Sequence, residues 1–324
     1  MFVGIGNYTI NPFNMFDVQR IEGLNTYKPE APKRIRTYKK YQPFYSEPNV
    51  LIVGNSRVEM GLSPKNDSLK KLGKVYNLGV PGMRFLEQVK YVNNILESQR
   101  IDHIIVGIDF SDYIFRYDEI SPIYRNETKL KQSKALDFFA ALWSLDALNA
   151  TAITLFDQTE LSSTRDDNGF NPARDYIEII KHEGQEVLLR QKAAELDVIF
   201  KDKFWVTEMA DINIGFKQSQ NILKHITEWE KKGIEVYVFV NPYQKLYYDK
   251  LKEHHLYAPF LRWKSMITRK LKPNVKFCDF TAFGHQHSDR KLSNGNYKYF
   301  WEPSHYKKEF GDMLIPKILK GCAQ

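Results

Sequence analysis

The chain has 324 residues, of which 43% are apolar, and a formal net charge of +8. That length and apolar content can bury a full core, which excludes a disordered tail protein and favours one large α/β domain carrying an insertion or subdomain. The basic balance favours anionic surroundings such as a phospholipid surface, an acidic polysaccharide or nucleic acid, without choosing among them.

Residues 1–48 are rich in Pro, Asn, Lys, Arg and Tyr and lack sustained periodicity, so they read as an arm lying on a domain surface. The opening MFVGIGNYTI is too short to span a bilayer and has no basic segment with a cleavage site, so neither an intact signal peptide nor a transmembrane helix is expected. The basic run Lys33 to Lys40 reads as a solvated helix face.

After Pro48 the character changes. Asn49-Val-Leu-Ile-Val-Gly is a short apolar run ending in glycine, the pattern of a buried parallel strand. A short helical stretch around Leu69 leads to a second strand, Lys74-Val-Tyr-Asn-Leu-Gly, and an amphipathic helix over Phe85 to Leu96 precedes a third, Asp102-His-Ile-Ile-Val-Gly-Ile-Asp-Phe. Strand alternating with helix is the grammar of a doubly wound parallel sheet.

Between Ser111 and Phe216 the alternation stops, for far longer than an ordinary crossover requires. Residues 111–216 therefore read as a largely helical insertion, and its departure from the carboxyl end of a strand makes it a lid or substrate-binding region. Its most apolar window, Phe138 to Phe156, is interrupted by Ser144, Asp146 and Asn149, which argues against a membrane span. Packed or interfacial helix fits it, with ordinary core packing the favoured reading.

A helix over Gln218 to Lys231 leads to a fourth strand, Ile234-Glu-Val-Tyr-Val-Phe-Val. Helices around Leu246 and Arg262 precede a fifth, Val275-Lys-Phe-Cys-Asp-Phe. A polar loop, Trp301-Glu-Pro-Ser-His-Tyr and a terminal amphipathic helix close the chain. Cys278 and Cys322 have neither zinc-site nor redox-motif spacing, and their pairing is left open.

Two segments can carry chemistry. Ser56 follows the first strand on a turn into helix, where a hydroxyl is exposed at the sheet edge and backbone N–H groups can face a developing oxyanion. Turn and capping preferences alone also place Ser and Asn there. In Glu302-Pro-Ser-His305 the spacing of three lets a carboxylate fold back onto the imidazole, holding its tautomer and stabilising the imidazolium. The bland reading is a helix cap beside a surface histidine.

Taken together, Gly54-Asn-Ser-Arg, Asn77-Leu-Gly-Val-Pro-Gly, Gly107-Ile-Asp-Phe and Glu302-Pro-Ser-His resemble, in order and placement, the four blocks of the SGNH (GDSL-like) hydrolase superfamily. The closest flavour is its bacterial cell-envelope branch, which includes proteins of alginate O-acetylation and of D-alanyl-lipoteichoic acid systems. The resemblance covers residues 49–318 apart from the insertion.

It implies an SGNH or flavodoxin-like three-layer sandwich over residues 49–324, with Ser56 as nucleophile, His305 as general base and Glu302 as the orienting acid. It also implies an oxyanion hole from the N–H groups of Ser56 and Gly79. The third block usually offers an Asn donor, whereas this chain has Asp109, which cannot donate while ionised. Either Asp109 turns away and a group such as Asn241 substitutes, or the site is slow, or it is dead.

Arg57 and Asp109 are weaker substrate-binding candidates, with a mutual ion pair the preferred reading for Asp109. The function implied is an esterase or O-acyltransferase acting through an acyl-serine on an acylated glycan or small ester. Neither cofactor nor metal is needed. The expected setting is extracytoplasmic or periplasmic, membrane-anchored in a longer protein and beside membrane-associated acyl-transfer machinery.

The rival from a different class is a catalytically inactive scaffold that keeps the fold. Nucleotide binding lacks its glycine-rich turn and Walker lysine, metal hydrolysis lacks a clustered ligand motif, and nucleic-acid binding rests on net charge alone.

Overall fold

The computed structural model describes residues 2–111, 134–162, 165–201, 212–271, 273 and 275–322. They divide into two compact units, one of residues 48–116 with 176–324 and the other of residues 1–47 with 117–175.

The larger unit is built on five strands, β1 (Val50–Val53), β2 (Val75–Asn77), β3 (His103–Ile108), β4 (Glu235–Val240) and β5 (Lys276–Asp279). They form one sheet in the order β2-β1-β3-β4-β5. Every pairing is parallel, with Leu51 beside both Tyr76 and Ile104, Val106 beside Val238, and Val240 beside Asp279. All five expected strands are present.

The strands are short continuous apolar runs because both faces are covered. On one face Ile52, Ile105 and Phe239 pack with Val58 of α3 (Ser56–Gly61) and with Phe310 and Leu314 of α14 (Lys308–Lys320). On the other, α10 (Ile212–Lys231) packs on β4 and on α12 (Tyr257–Leu271), which reaches β5. Trp229 of α10 donates its indole N–H to Asn93 of α5 (Phe85–Leu96) at 2.9 Å. The architecture is α/β and consistent with a doubly wound fold. Because all strands run the same way, the segments that follow them collect at a single edge.

Cys278 and Cys322 form a disulfide that ties β5 to the residues just past α14. The sequence left this pairing open because proximity across 44 residues is a property of the fold, here of α14 returning beside β5.

The smaller unit holds α1 (Phe2–Ile10), α2 (Ile35–Ser46), α6 (Lys134–Trp143) and α7 (Leu145–Phe156). Residues 1–48 are thus more than an arm: they carry two helices and share a core with the first half of the insertion. That core contains Phe13, Met15, Phe16, Tyr41, Ala141, Ala147 and Ala150. Buried Asn7 joins three helices, donating to the Leu142 carbonyl at 2.9 Å and accepting from Thr151 at 2.6 Å.

The core-packing reading of Phe138 to Phe156 holds only for one face. Phe138 and Leu142 pack on this core and Ala147 and Ala150 are buried, while Phe139, Trp143, Leu145 and Phe156 are exposed. The second half of the insertion belongs to the sheet unit, as α9 (Gln185–Lys201) and most of α8 (Arg174–Glu183). The parts of the insertion at 112–133 and 202–211 lie outside the described residues.

Candidate active site

The turn after β1 is set by local sequence. Asn55 caps α3, its side-chain oxygen accepting from the Arg57 N–H at 3.0 Å, so Ser56 becomes the first helical residue. Gly54 is required because the chain doubles back: a Cβ there would lie 2.3 Å from Val58.

The C-terminal partners reach this turn through a close helix approach. A Cβ on Gly311 would lie 1.8 Å from the Gly61 carbonyl, so only glycine lets α14 settle on α3. The loop before α14 is held by the Trp301 N–H donating to the His305 carbonyl at 3.0 Å, and by the Ser304 N–H donating to Glu302 at 2.9 Å.

The consequence is a continuous hydrogen-bonded chain. Ser56 Oγ donates to His305 Nε2 at 2.7 Å, and His305 Nδ1 donates to the Glu302 carboxylate. Which nitrogen carries the proton follows from these partners. Glu302 is only 1% exposed. Burial alone would raise its pKa, but the His305 imidazole, the Ser304 N–H and the Arg57 charge overcome that and hold it below the ordinary glutamate value. The Tyr176 ring stands edge-on to the imidazole, with centroids 6.3 Å apart.

Asp109 is fully buried and does not line the cavity beside Ser56. Its carboxylate accepts from Asn55 Nδ2 at 2.6 Å, Asn241 Nδ2 at 3.0 Å and Tyr243 Oη at 2.6 Å, and pairs with Arg57 at 3.6 Å. The Arg57 guanidinium also lies over the rings of Tyr243 and Tyr247. Burial disfavours the arginine's charge, but Asp109 with Tyr243, Tyr247 and Glu302 more than offsets it, leaving its pKa above the ordinary value. Tyr243 is pushed well up by its burial and then by Asp109, so it stays a neutral donor.

This arrangement bears on three expectations. Asp109 is the counter-charge of Arg57, its preferred reading, and not a substrate contact. Asn241, also fully buried, spends its amide N–H on Asp109 and its oxygen on the Tyr306 hydroxyl at 2.9 Å, so it is no oxyanion donor. The Gly79 N–H donates to Asn77 Oδ1 at 2.8 Å and is likewise occupied. Asn77 in turn donates to the Val58 and Leu62 carbonyls, closing the end of α3. The residue of that turn that lines the cavity is Gly82, at φ 65°, a left-handed conformation glycine adopts without strain.

The cavity holds about 210 Å³, below the roughly 300–1,000 Å³ of drug-sized sites. Ser56, Arg57, His305 and Glu302 line it, with walls of Met83, Tyr176, Leu196, Ile199, Phe200 and Tyr247. The α8 and α9 residues among these were not foreseen by position. In sequence these helices read only as part of a largely helical insertion, with none of its residues placed at the site.

That helix is moored by Gln185, which donates to the Phe300 and Trp301 carbonyls at 2.7 and 2.8 Å and accepts from the Tyr297 N–H at 2.7 Å. Among the described residues one group of metal-ligand type is found, Asp197 of α9 with Glu253 and His254. The Lys250 ammonium sits 3.0 Å from Asp197 and 2.7 Å from Glu253, answering the charge a cation would need.

No protein-family model and no curated protein matches the chain. The site geometry therefore carries the functional reading.

Proposed function

We propose that the protein is a serine-dependent esterase or O-acyltransferase of the SGNH type. The observation that carries this reading is the Ser56–His305–Glu302 hydrogen-bonded chain, drawn from opposite ends of the sequence and opening on a small, largely apolar cavity.

In the proposed reaction Ser56 Oγ attacks the ester carbonyl as its proton passes to His305 Nε2, and Glu302 stabilises the imidazolium. The carbonyl oxygen becomes the oxyanion. The Ser56 N–H and the Gly82 N–H are the candidate donors, replacing the Gly79 and Asn241 pair. Collapse breaks the ester C–O bond, and the alcohol leaves with the His305 proton. Water or a glycan hydroxyl, deprotonated by the same imidazole, then attacks the acyl-serine and regenerates Ser56.

A small cavity suits a short acyl group such as acetyl, on a cell-envelope glycan or similar ester. An extracytoplasmic or periplasmic setting, beside membrane-associated acyl-transfer machinery, agrees with the Cys278–Cys322 disulfide, since such bonds persist in oxidising compartments. The rival scaffold reading calls for Ser56 and His305 out of reach, or for Asp109 in the oxyanion position. The 2.7 Å Ser56–His305 bond and the pairing of Asp109 with Arg57 support the catalytic reading instead.

The test is turnover of p-nitrophenyl acetate by the purified chain beside Ser56→Ala. Turnover confined to the unsubstituted protein is the expected result. Equal rates for the two would leave the scaffold.

A further inference from the structure

The three helices α1, α6 and α7 are patterned inside out. Apart from Ile10 at the end of α1, the residues they bury are small or polar: Gly4 and Asn7 on α1, Ala141 on α6, and Ala147, Ala150, Thr151 and Thr154 on α7. Phe138 and Leu142 pack on the unit's core, but most of the large apolar side chains point outward, with Phe2 87% exposed, Phe139 65%, Leu145 85% and Phe156 92%.

A water-facing helix of a soluble domain does the reverse. Small residues between helices with large apolar residues outside is the arrangement of helices whose surroundings are as apolar as their own surface.

The outward pattern does not come from loose helices. Asn7 hydrogen-bonds to both α6 and α7, and Gly4 lies so close beneath the Trp143 ring that a Cβ would approach it to 2.5 Å.

Charge points the same way. α1 carries no charged residue, and the two acids of α6 and α7 are each answered by a cation of the same unit. Asp137 pairs with Lys40 at 3.0 Å and Asp146 with Arg34 at 2.5 Å, so neither presents a net negative charge to phosphate headgroups. Trp143 and Tyr8 supply exposed rings of the kind found at membrane–water boundaries.

We infer that α1, α6 and α7 form a phospholipid-docking surface that lies in the bilayer interface. Length decides between lying and crossing. The ten residues of α6 and twelve of α7 have the length and composition of a span only together, and they meet at a bend of 58°. Neither helix alone exceeds about 18 Å, against a hydrocarbon core of about 30 Å. Insertion to the depth of the acyl boundary buries the outward side chains without requiring either helix to span. The inference stands apart from the chemistry at Ser56.

Flotation of the full chain with phosphatidylcholine vesicles at high salt tests it, since high salt suppresses attraction by the +8 net charge. The unsubstituted chain is expected to float. The pair Leu145→Asp and Phe156→Asp is expected to lower partition by about tenfold or more, as burial of one such side chain is worth at least that. Leu261→Asp, which changes an exposed apolar residue of the sheet unit, is expected to float as the parent does.

Thermal melts of the variants confirm folding, since all three positions are exposed. A parent chain that stays in the aqueous fraction would overturn the inference, as would equal flotation of the Leu145/Phe156 variant. So would a light-scattering dimer that this variant dissociates while vesicles capture nothing, which would assign the face to a second copy.

Discussion

The sheet unit and the helical unit solve opposite packing problems. In the first, aromatic and β-branched side chains fill both faces of the sheet, and the buried charges Arg57, Asp109 and Glu302 are each answered by neighbours. In the second, alanines and threonines fill the interior of α6 and α7 while phenylalanine and leucine face out. A dense core with buried ion pairs holds side chains in fixed relative positions, which is what a proton relay needs. Small residues where α1, α6 and α7 meet hold those helices together while leaving their apolar surface for another medium.

That contrast breaks first at the relay. Ser56→Ala and His305→Ala are each expected to lower p-nitrophenyl acetate turnover by about 10⁴-fold or more, without lowering the melting temperature. Similar losses from changes in α1 or α6 would show that the chemistry does not belong to the sheet unit.

Next in size is the buried counter-charge. Asp109→Asn leaves the Arg57 guanidinium uncompensated, and chemical denaturation is expected to show a loss of about 3–5 kcal/mol. A near-neutral outcome would mean that Arg57 does not depend on Asp109.

The disulfide bounds the same unit. Removing it with Cys278→Ser and Cys322→Ser is expected to cost about 2–4 kcal/mol in the same assay, since it closes a long loop.

The smallest effect belongs to the helical unit. Lys28 is buried with its ammonium donating to the Ile10 carbonyl at 2.5 Å. Burial, aided by Arg20 and opposed by Asp167, lowers its pKa to about 7. Above that pH the folded state releases a proton that the unfolded state retains until near its ordinary pKa. Stability therefore rises with pH from about 7 towards 10, is lost as pH falls back across that window, and is flat below about 7 where both states hold the proton. The rise is expected to be larger for the parent than for Lys28→Met, by about 1–2 kcal/mol.

The sheet was legible in the sequence because strands buried on both faces read as short apolar runs ended by turn residues, as Asn49 to Gly54 does. Ser56, Glu302 and His305 were legible as types at particular places. Their meeting was legible only through the family resemblance, because the contact itself depends on Gly311 admitting α14 onto α3. Gly79 was read as a free amide because a turn with two glycines, Gly79 and Gly82, does not reveal which amide its own asparagine takes. The helical unit was the least legible. Phe138 to Phe156 is apolar on nearly every side, so hydropathy records its content but not which face the small residues turn inward.

The most direct test of the central claim is mass-spectrometric mapping of the chain after reaction with a fluorophosphonate. The account predicts one adduct per chain, on the peptide carrying Ser56, and its loss in both Ser56→Ala and His305→Ala. An unlabelled parent, or an adduct that survives His305→Ala undiminished, would contradict a serine activated by the His305–Glu302 pair.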